Sequence, residues 1–331
     1  MTTTLSIAEA EGLVAEAMQR ANVGEAQAAS VARALVAAEA CGQGGHGLRR
    51  VAAYSAQAKV GKVAGTASPL SERIRSGVLR IDAKNGFAFP AFDLAVEQLP
   101  RMVAETGIAA AAIRNSHHAG VLALTVERFA SAGLVAIMMA NAPGAMAAWG
   151  GTKPLFGTNP IAFAAPLPGE DPIVIDLSLS KVARGKVMAA KQKGTAIPEG
   201  WALDKNGNPT TDADAALAGT MVPAGDAKGA ALALMVEMLA AGMTGANYAY
   251  EASSLFDDKG PPPALGQFLM VIDPKAMGGD GVLQRFGALA AEIASEPETR
   301  IPGRRGQEGR RQAAAEGIAI EDDVMATIQA V

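Results

Sequence analysis

One cysteine, Cys41, three histidines, three tyrosines and two tryptophans are all that 331 residues provide of these types, and each shortage excludes something. A lone thiol forms no intramolecular disulfide and supplies no zinc-ribbon framework, and it fits the reducing cytoplasm in which the chain is expected to reside. Aromatic side chains make up 4% of the sequence, so the core has to be packed from alanine, glycine and aliphatic residues. The most apolar long run, residues 230–243, is interrupted by Glu237 and falls short of the about 20 apolar residues of a membrane-spanning helix. The opening MTTTLSIAEAEGLV lacks the basic start and apolar stretch of a secretory signal. Basic charge is also wanting: a net charge of −4 argues against a nucleic-acid partner. What remains, 50% apolar and 19% charged, is a globular composition long enough for two or three subdomains.

Periodicity predicts two helices over residues 6–40, with Ile7, Leu13, Val14 and Met18 at helical spacing after Ser6, and Val31, Leu35 and Val36 resuming the pattern after a break at 22–24. A helical stretch over 50–62, a loop over 61–69, a strand over 78–81 and a helix over 91–105 that must bend or restart at Pro100 come next. A buried strand over 107–113, a helix over 121–132 and a strand over 134–139 continue a βαβ alternation that assigns the α/β class. The Gly- and Pro-rich connection 141–160 is long enough to expect a functional role. Strands over 161–165 and 173–176 follow it, then an expected surface excursion over 192–225 with a hairpin at Asn206-Gly207. A helix over 228–241, a strand over 267–272, a helix over 282–293, the loop RIPGRRGQEGR (300–310) and two terminal helical stretches complete the chain.

So few histidines leave few groups that titrate near neutrality. His46 lies in CGQGGHGLRR (41–50), His117 and His118 in NSHHAG (115–120). Gly42, Gly44 and Gly47 match G-x-G-x-x-G, but that fingerprint belongs between a strand and a helix, with an acidic residue about 20 positions on. Here a helix precedes it and no acidic residue appears before Glu72, so the glycines are read as a turn after a helix end and a Rossmann site is rejected.

His46 and Arg50 share a face if a helix begins after Gly47. The pair suits a 2-oxo acid: guanidinium grips the carboxylate at two points and imidazole protonates the carbonyl oxygen as hydride reaches carbon. A helix-capping histidine beside a solvated arginine is the plainer alternative. His117 and His118 suit acid/base work, substrate positioning, or a loop position satisfied by backbone; no Cys/His/Asp cluster surrounds them at metal spacing, and no metal site is expected. Asp176, ending a strand at DLSLSKVARGK, either orients a histidine or caps a helix. Ser178, Ser180, Lys181, Arg184 and Lys186 gather hydroxyls and charge there, at the kind of strand end where α/β sheets bind ligands. Basic or glycine-rich loops at 180–186, 227–229 and 303–306 could cradle phosphates, which points towards a dinucleotide.

In chain order, GHGLRR (45–50) resembles the S-H-G-x-x-R signature of the malate/L-lactate dehydrogenase type 2 family, which also includes sulfolactate, ureidoglycolate and diketogulonate dehydrogenases and cyclic ketimine reductases. NSHHAG is similar to its N-S-x-H-x-G. FGTNPIAFAAP, DLSLSKVARGK, PEGWALDKNGNPTTD, AKGAALALMVEMLAAGMTG and RIPG are similar to further family motifs, so the resemblance runs from about residue 5 to 320. It implies a homodimeric NAD(P)-dependent oxidoreductase of small carboxylates with a non-Rossmann α/β fold, a mixed sheet flanked by helices and a helical terminal subdomain. The expected division is a helical substrate and dimerisation unit of residues 1–75 with 281–331, and a dinucleotide-binding region over 76–280 with a small insert near 115–145.

The resemblance further implies His46 as acid/base with Asp176 its partner, His118 as the other candidate for proton transfer, Arg50 as carboxylate clamp, and Arg49 and His117 at the substrate. The dinucleotide, with NADPH favoured over NADH through Arg304 and Arg305, is expected on Gly157, Thr158, Asn159, Pro160, Asp176, Leu177, Ser178, Ser180, Lys228, Arg304, Arg305 and Gly306. The implied reaction interconverts a 2-oxo acid and a 2-hydroxy acid of malate, lactate or sulfolactate type. Its rival is reduction of pyrroline- or piperideine-2-carboxylate to proline or pipecolate. Gly45 stands where the family usually has serine, and Ala227 where it has an aromatic or histidine; both departures enlarge the pocket. SLSKVARGK and GQFLMVIDP resemble the sulfolactate-like subgroup, whose doubly anionic substrate needs a second cation, Lys181 or Arg49. Two other classes make different demands: a metal-dependent hydrolase or lyase at His117-His118 requires stoichiometric metal, and a non-catalytic nucleotide scaffold binds cofactor without turnover.

Overall fold

The computed structural model describes residues 2–331. Strand β1 (Thr2–Leu5) leads into α1 (Ile7–Arg20) and α2 (Glu25–Ala40), and two short 3-10 turns, Gly44–His46 and Leu48–Arg50, carry the chain into α3 (Val51–Lys59). Then come β2 (Leu70–Arg75), β3 (Val78–Asp82), α4 (Ala88–Thr106), β4 (Ile108–Ser116), α5 (Leu122–Ser131) and β5 (Val135–Ala140). The middle of the chain holds β6 (Met146–Ala147), β7 (Pro154–Phe156), β8 (Ile161–Leu167), β9 (Glu170–Leu177), α6 (Arg184–Lys193), β10 (Ala202–Leu203), β11 (Pro209–Thr210), α7 (Ala213–Ala218) and β12 (Thr220–Met221). Helix α8 (Ala227–Val236) runs on as a π-helical turn, Glu237–Gly242, and is followed by β13 (Leu265–Ile272), α9 (Pro274–Gly278), α10 (Val282–Ala294), α11 (Arg304–Glu316), β14 (Ile318–Glu321) and α12 (Asp322–Gln329).

The central sheet has seven strands in the order β2-β3-β4-β13-β5-β8-β9. Only β3 and β4 are parallel neighbours, joined through α4 as a βαβ unit; the other adjacent pairs are antiparallel. β4 and β5 also run the same way, but β13 lies between them and pairs antiparallel with both. The sheet is therefore mixed, as the resemblance implies, and not doubly wound. Helices α4 and α5 cover one face, with α2 behind them, over Leu79, Ile113, Met138, Leu269 and Val271. Alternation along β13 turns Gly266 to the opposite face. A Cβ there would lie 1.8 Å from the Ala240 carbonyl oxygen, so only glycine lets the π-helical turn approach the sheet this closely.

Local chemistry accounts for the amino-terminal helices as read from sequence. Ser6 and Glu9 form a reciprocal capping box at the start of α1, and Ala10, Val14, Ala17 and Met18 make one buried face. α4 differs from expectation: it is one helix of 19 residues that continues through Pro100. Residues 304–310, expected as loop, form the start of α11. Gly306 and Gly309 weaken the helical signal, yet Gly309 serves packing, since a Cβ there would meet the Ala40 carbonyl oxygen at 2.5 Å. α11 packs on α2 and α12 on α1 and α3, with β1 and β14 paired beside them, while α10 lies on β8.

A second sheet, ordered β11-β10-β12-β6-β7, is built from segments that read as connections. Residues 192–225 supply β10, β11, β12 and α7, with the expected turn at Asn206-Gly207 inside the β10–β11 hairpin. Met146, Phe156, Leu179, Val187, Ala202 and Met221 give this sheet its own core. Residues 115–145, where a small insert is expected, instead run through the end of β4, α5 and β5 of the central sheet. Among the described residues no helix is long and apolar enough to cross a membrane.

Candidate active site

Beyond α2 the chain turns sharply, with Gly42 in the left-handed region at φ 73°. Glu39 staples this turn: its carboxylate accepts from the Leu48 amide at 2.9 Å, and a Cβ on Gly47 would lie 2.2 Å from that same oxygen. The glycines thus make a turn, as expected. Arg50 immediately precedes α3 in helical conformation, and Arg50, Tyr54 and Gln57, at i, i+4 and i+7, share one face of it. Facing them, β4 ends beside Asn115, whose φ of 49° is uncommon outside glycine. Its side chain donates to Asp82 at 3.0 Å and its carbonyl accepts from the Asn85 amide at 2.7 Å, which holds the conformation that delivers His117 and His118 to α3.

The two histidine loops meet. The His46 and His118 rings stack with centroids 5.1 Å apart and planes 18° apart, and His118 Nδ1 lies 2.6 Å from Tyr54 Oη. His117 turns the other way. It is 1% exposed, donates from Nε2 to Gln57 Oε1 at 2.7 Å, and packs edge-on against Tyr54 and Phe87. This corrects the expectation that His117 contacts substrate: its ring is enclosed behind the site.

Arg50 is held by one nitrogen only. Its Nε donates to the Gly45 carbonyl at 2.8 Å, and Phe256 covers its face at 4.9 Å. Nη1 and Nη2 have no partner among the described residues, so the fork that binds a carboxylate stays open. Lys62 ties the Phe256 segment down, with Nζ donating to the Ser254 and Asp257 carbonyls at 2.6 and 2.9 Å. Arg49, one residue earlier, points elsewhere and pairs with Glu321 and, at 3.1 Å, with Asp323; its charge is committed to the terminal segment, contrary to a substrate role.

Burial, and after it the Arg50 charge, hold the His46 imidazole down to about 4. Burial, then Lys62 and Arg50, hold His117 down to about 3. His118 lies well below its ordinary value, through burial first and then Arg50 and the neighbouring imidazoles. All three rings are neutral at pH 7 in the free protein. Burial pushes the Tyr54 hydroxyl up, so it keeps its proton.

Asp176 does something other than orient a histidine. Val121 at the start of α5 offers no capping side chain, and Asp176 reaches across from β9 to accept the Ala123 amide at 2.9 Å together with that of Leu122. Desolvation raises this carboxyl to about 6, against the lowering by the two amides. The helix-capping alternative is thus the one observed, on a different helix from the one that follows it in sequence.

Among the expected dinucleotide contacts, Gly157 is required by packing, since a Cβ would lie 2.2 Å from the Ala142 carbonyl oxygen. The Thr158 carbonyl accepts from Leu179 at 2.8 Å and that of Pro160 from Ala140 at 3.2 Å. The Asn159 side chain is buried and donates to Ala233 and Glu237 at 2.9 and 2.7 Å, which makes it a structural strut instead of a cofactor contact. Ser178 and Ser180 hydroxyls lie 2.6 Å apart, Leu177 is exposed, and Lys228 is exposed in the first turn of α8. Arg304 lies in the first turn of α11 and is occupied by Glu170 at 2.7 Å and Asp171 at 3.5 Å; Arg305 is exposed without a partner among the described residues, and Gly306 packs beside Cys41.

Tyr54, Gln57, Lys62, Phe87 and Phe256 were not singled out by sequence. The first two were findable, because R-x-x-x-Y-x-x-Q puts them on the Arg50 face of a helix. Phe87 and Phe256 come from distant segments and carry no local signal. No three His, Cys, Asp or Glu side chains among the described residues are placed to hold a metal ion.

Comparison with known proteins gives matches over nearly the whole chain. A family model described as malate/L-lactate dehydrogenase matches residues 5–329. The (2R)-3-sulfolactate dehydrogenase (NADP(+)) of Chromohalobacter salexigens is 51% identical over 312 residues, which are 94% of this chain and 93% of the relative. The Delta(1)-pyrroline-2-carboxylate/Delta(1)-piperideine-2-carboxylate reductase of Pseudomonas putida is 40% identical over 95% of this chain and 92% of its own. The crystal structure of the delta1-piperideine-2-carboxylate reductase from Pseudomonas syringae pv. tomato matches with a TM-score of 0.94 at 37% identity, covering 99% of each chain.

Proposed function

The chain belongs to the malate/L-lactate dehydrogenase family, and from that premise we propose that it interconverts a 2-oxo acid and its 2-hydroxy acid using NADPH and NADP+, with a 3-sulfolactate-like acid as the leading substrate. The open fork of Arg50 beside two neutral imidazoles carries this reading. Arg50 Nη1 and Nη2 hold the substrate carboxylate. That fixes the neighbouring carbonyl carbon near His46 and His118, which bind the carbonyl oxygen, one of them passing it a proton during reduction. The nicotinamide supplies the hydride when bound. The donor set fits its anionic carrier: the Lys228 ammonium is exposed where α8 begins, at the positive end of the helix dipole, and Arg305 is exposed without a partner among the described residues. Of the two candidates for a second substrate cation, Arg49 is occupied and Lys181 remains, exposed and without an ion pair among the described residues.

A cyclic ketimine is the second reading, because no atom lies within 4 Å of a Cβ built on Gly45, which leaves room for a ring beside the clamp. Hydride addition to C=N uses the same carboxylate grip. Sulfopyruvate, oxaloacetate, pyruvate, pyrroline-2-carboxylate and piperideine-2-carboxylate, each assayed with NADPH and NADH by loss of nicotinamide absorbance, test both. Highest kcat/KM on sulfopyruvate is the expected result; preference for an imine selects the second reading, and no turnover on any of them removes both.

The assembly is proposed to be a homodimer acting in the cytoplasm, where a lone thiol stays reduced. Leu234, 48% exposed, and Met238, 61% exposed, belong to an apolar ridge on α8 and its π-helical extension, a kind of patch that normally marks an interface. Light scattering is expected to give a dimer for the natural chain and a monomer for Leu234→Glu/Met238→Glu; an unchanged dimer in that variant would place the interface elsewhere.

A further inference from the structure

We propose that Tyr54 is a positioning residue that fixes His118 as its Nε2-protonated tautomer, so that His118 serves as a hydrogen-bond donor and His46 is left as the group that transfers the proton. Tyr54 is fully buried, enclosed by the rings of Phe87, His117 and His118. Its hydroxyl has one partner among the described residues, His118 Nδ1 at 2.6 Å. A phenol that keeps its proton must donate it to that nitrogen or bury it unsatisfied. With Nδ1 accepting, a neutral His118 carries its own proton on Nε2, the ring nitrogen away from Tyr54.

The consequence separates two histidines that stack face to face. A neutral ring that is donating from Nε2 can bind the substrate oxygen but cannot release that proton without becoming an anion, unless Tyr54 gives up its own in a cage that disfavours phenolate. His46 carries no such restraint: its Nδ1 has no partner among the described residues, so no hydrogen bond fixes which nitrogen bears its proton. In reduction the His46 imidazolium proton goes to the substrate oxygen, the hydride goes to carbon, and neutral His46 remains.

The catalytic half of this assignment rests on the proposed function; the tautomer does not, and the two are tested separately. With only three histidines, 15N-histidine spectra of the whole protein at pH 7 resolve every ring, and loss of signals in His118→Gln assigns His118. A bare Nδ1 and protonated Nε2 on His118 are expected in the natural chain, giving way to a tautomer mixture in Tyr54→Phe. A protonated Nδ1 in the natural chain, or an unaltered tautomer in the variant, overturns the proposal; should Tyr54→Phe fail to fold, the natural spectrum alone decides. In turnover, Tyr54→Phe is expected to lower kcat about tenfold, the scale of one hydrogen bond, with KM within about twofold and the His46 inflection in the pH profile unmoved. The His118→Gln side chain keeps a donor near the Nε2 position without needing Tyr54, so adding Tyr54→Phe to it should cost nothing more. A further tenfold loss in the double variant would show that Tyr54 acts on the fold and not through His118.

Discussion

Replacing Arg50 with glutamine is expected to lower kcat/KM for any carboxylate substrate by about 150-fold, mostly through KM, while the affinity for NADPH stays within about twofold. The magnitude follows from the loss of a charge-assisted bidentate contact in a largely enclosed position, about 3 kcal/mol, with each 1.36 kcal/mol worth about a factor of ten. Glutamine keeps the bulk under Phe256 and preserves an amide near the Gly45 carbonyl, so the loss falls on the carboxylate. Arg50→Lys restores the charge but has no separate nitrogen for Gly45, and its ammonium offers a point instead of a fork; it should recover only part of the loss. Titrations with each substrate at saturating cofactor, beside cofactor binding measured alone, separate the two affinities. An unchanged KM in Arg50→Gln would mean that the carboxylate binds elsewhere and that the open fork has another use.

How far this site was legible depends on whether its contacts are local. His46 and Arg50 lie four residues apart, close enough in sequence for a spacing argument to link them, although the chain places them on two separate 3-10 turns with a non-helical Gly47 between. His118 belongs to the same cluster because Asn115 adopts a left-handed conformation at the end of β4, which no spacing rule contains. Tyr54 and Gln57 were within reach of helical periodicity, but a sequence does not say that the helix face bearing Arg50 is the one facing another loop. The misplaced contacts share a different cause. Asp176, Asn159, Arg49 and Arg304 are polar residues in motif-rich stretches, and the fold uses each to satisfy a nearby structural need: a helix start, a buried carboxylate, a chain terminus and a hairpin. Charge and motif position do not reveal a partner supplied from far along the chain.

The fold follows the same division. Long periodic elements such as α1, α5, β4 and β13 were readable, because each buries a face several residues long. The second sheet was not, since strands of two or three residues have no alternation to read. The placement of β13 between β4 and β5 was also hidden: a late strand inserts into a sheet whose other strands were laid down earlier, and nothing in its own residues names its neighbours.

His46→Gln is expected to lower kcat for reduction by a factor of about 100 to 10,000, the range of general acid catalysis, with cofactor affinity and the thermal midpoint little changed. The pH dependence of the natural enzyme supplies an independent check, and its sign follows from what holds the imidazole down. Burial contributes most and Arg50 next, so free His46 titrates near 4. Reduction requires the protonated ring, so kcat/KM, which reports the free enzyme, should fall roughly tenfold per pH unit above that value, while kcat/KM for oxidation requires the neutral ring and should rise to a plateau. A carboxylate on Arg50 offsets the second cause but leaves the first. The ring in the substrate complex therefore holds its proton more tightly, and the inflection in kcat should lie at higher pH than that in kcat/KM. Substrate binding thereby favours uptake of the proton that reduction consumes. Arg50→Gln should narrow the gap between the two inflections, because the charge that the substrate neutralises is already gone. A kcat inflection below that of kcat/KM, or full turnover in His46→Gln, would transfer the proton to another group, with His118 the first to examine.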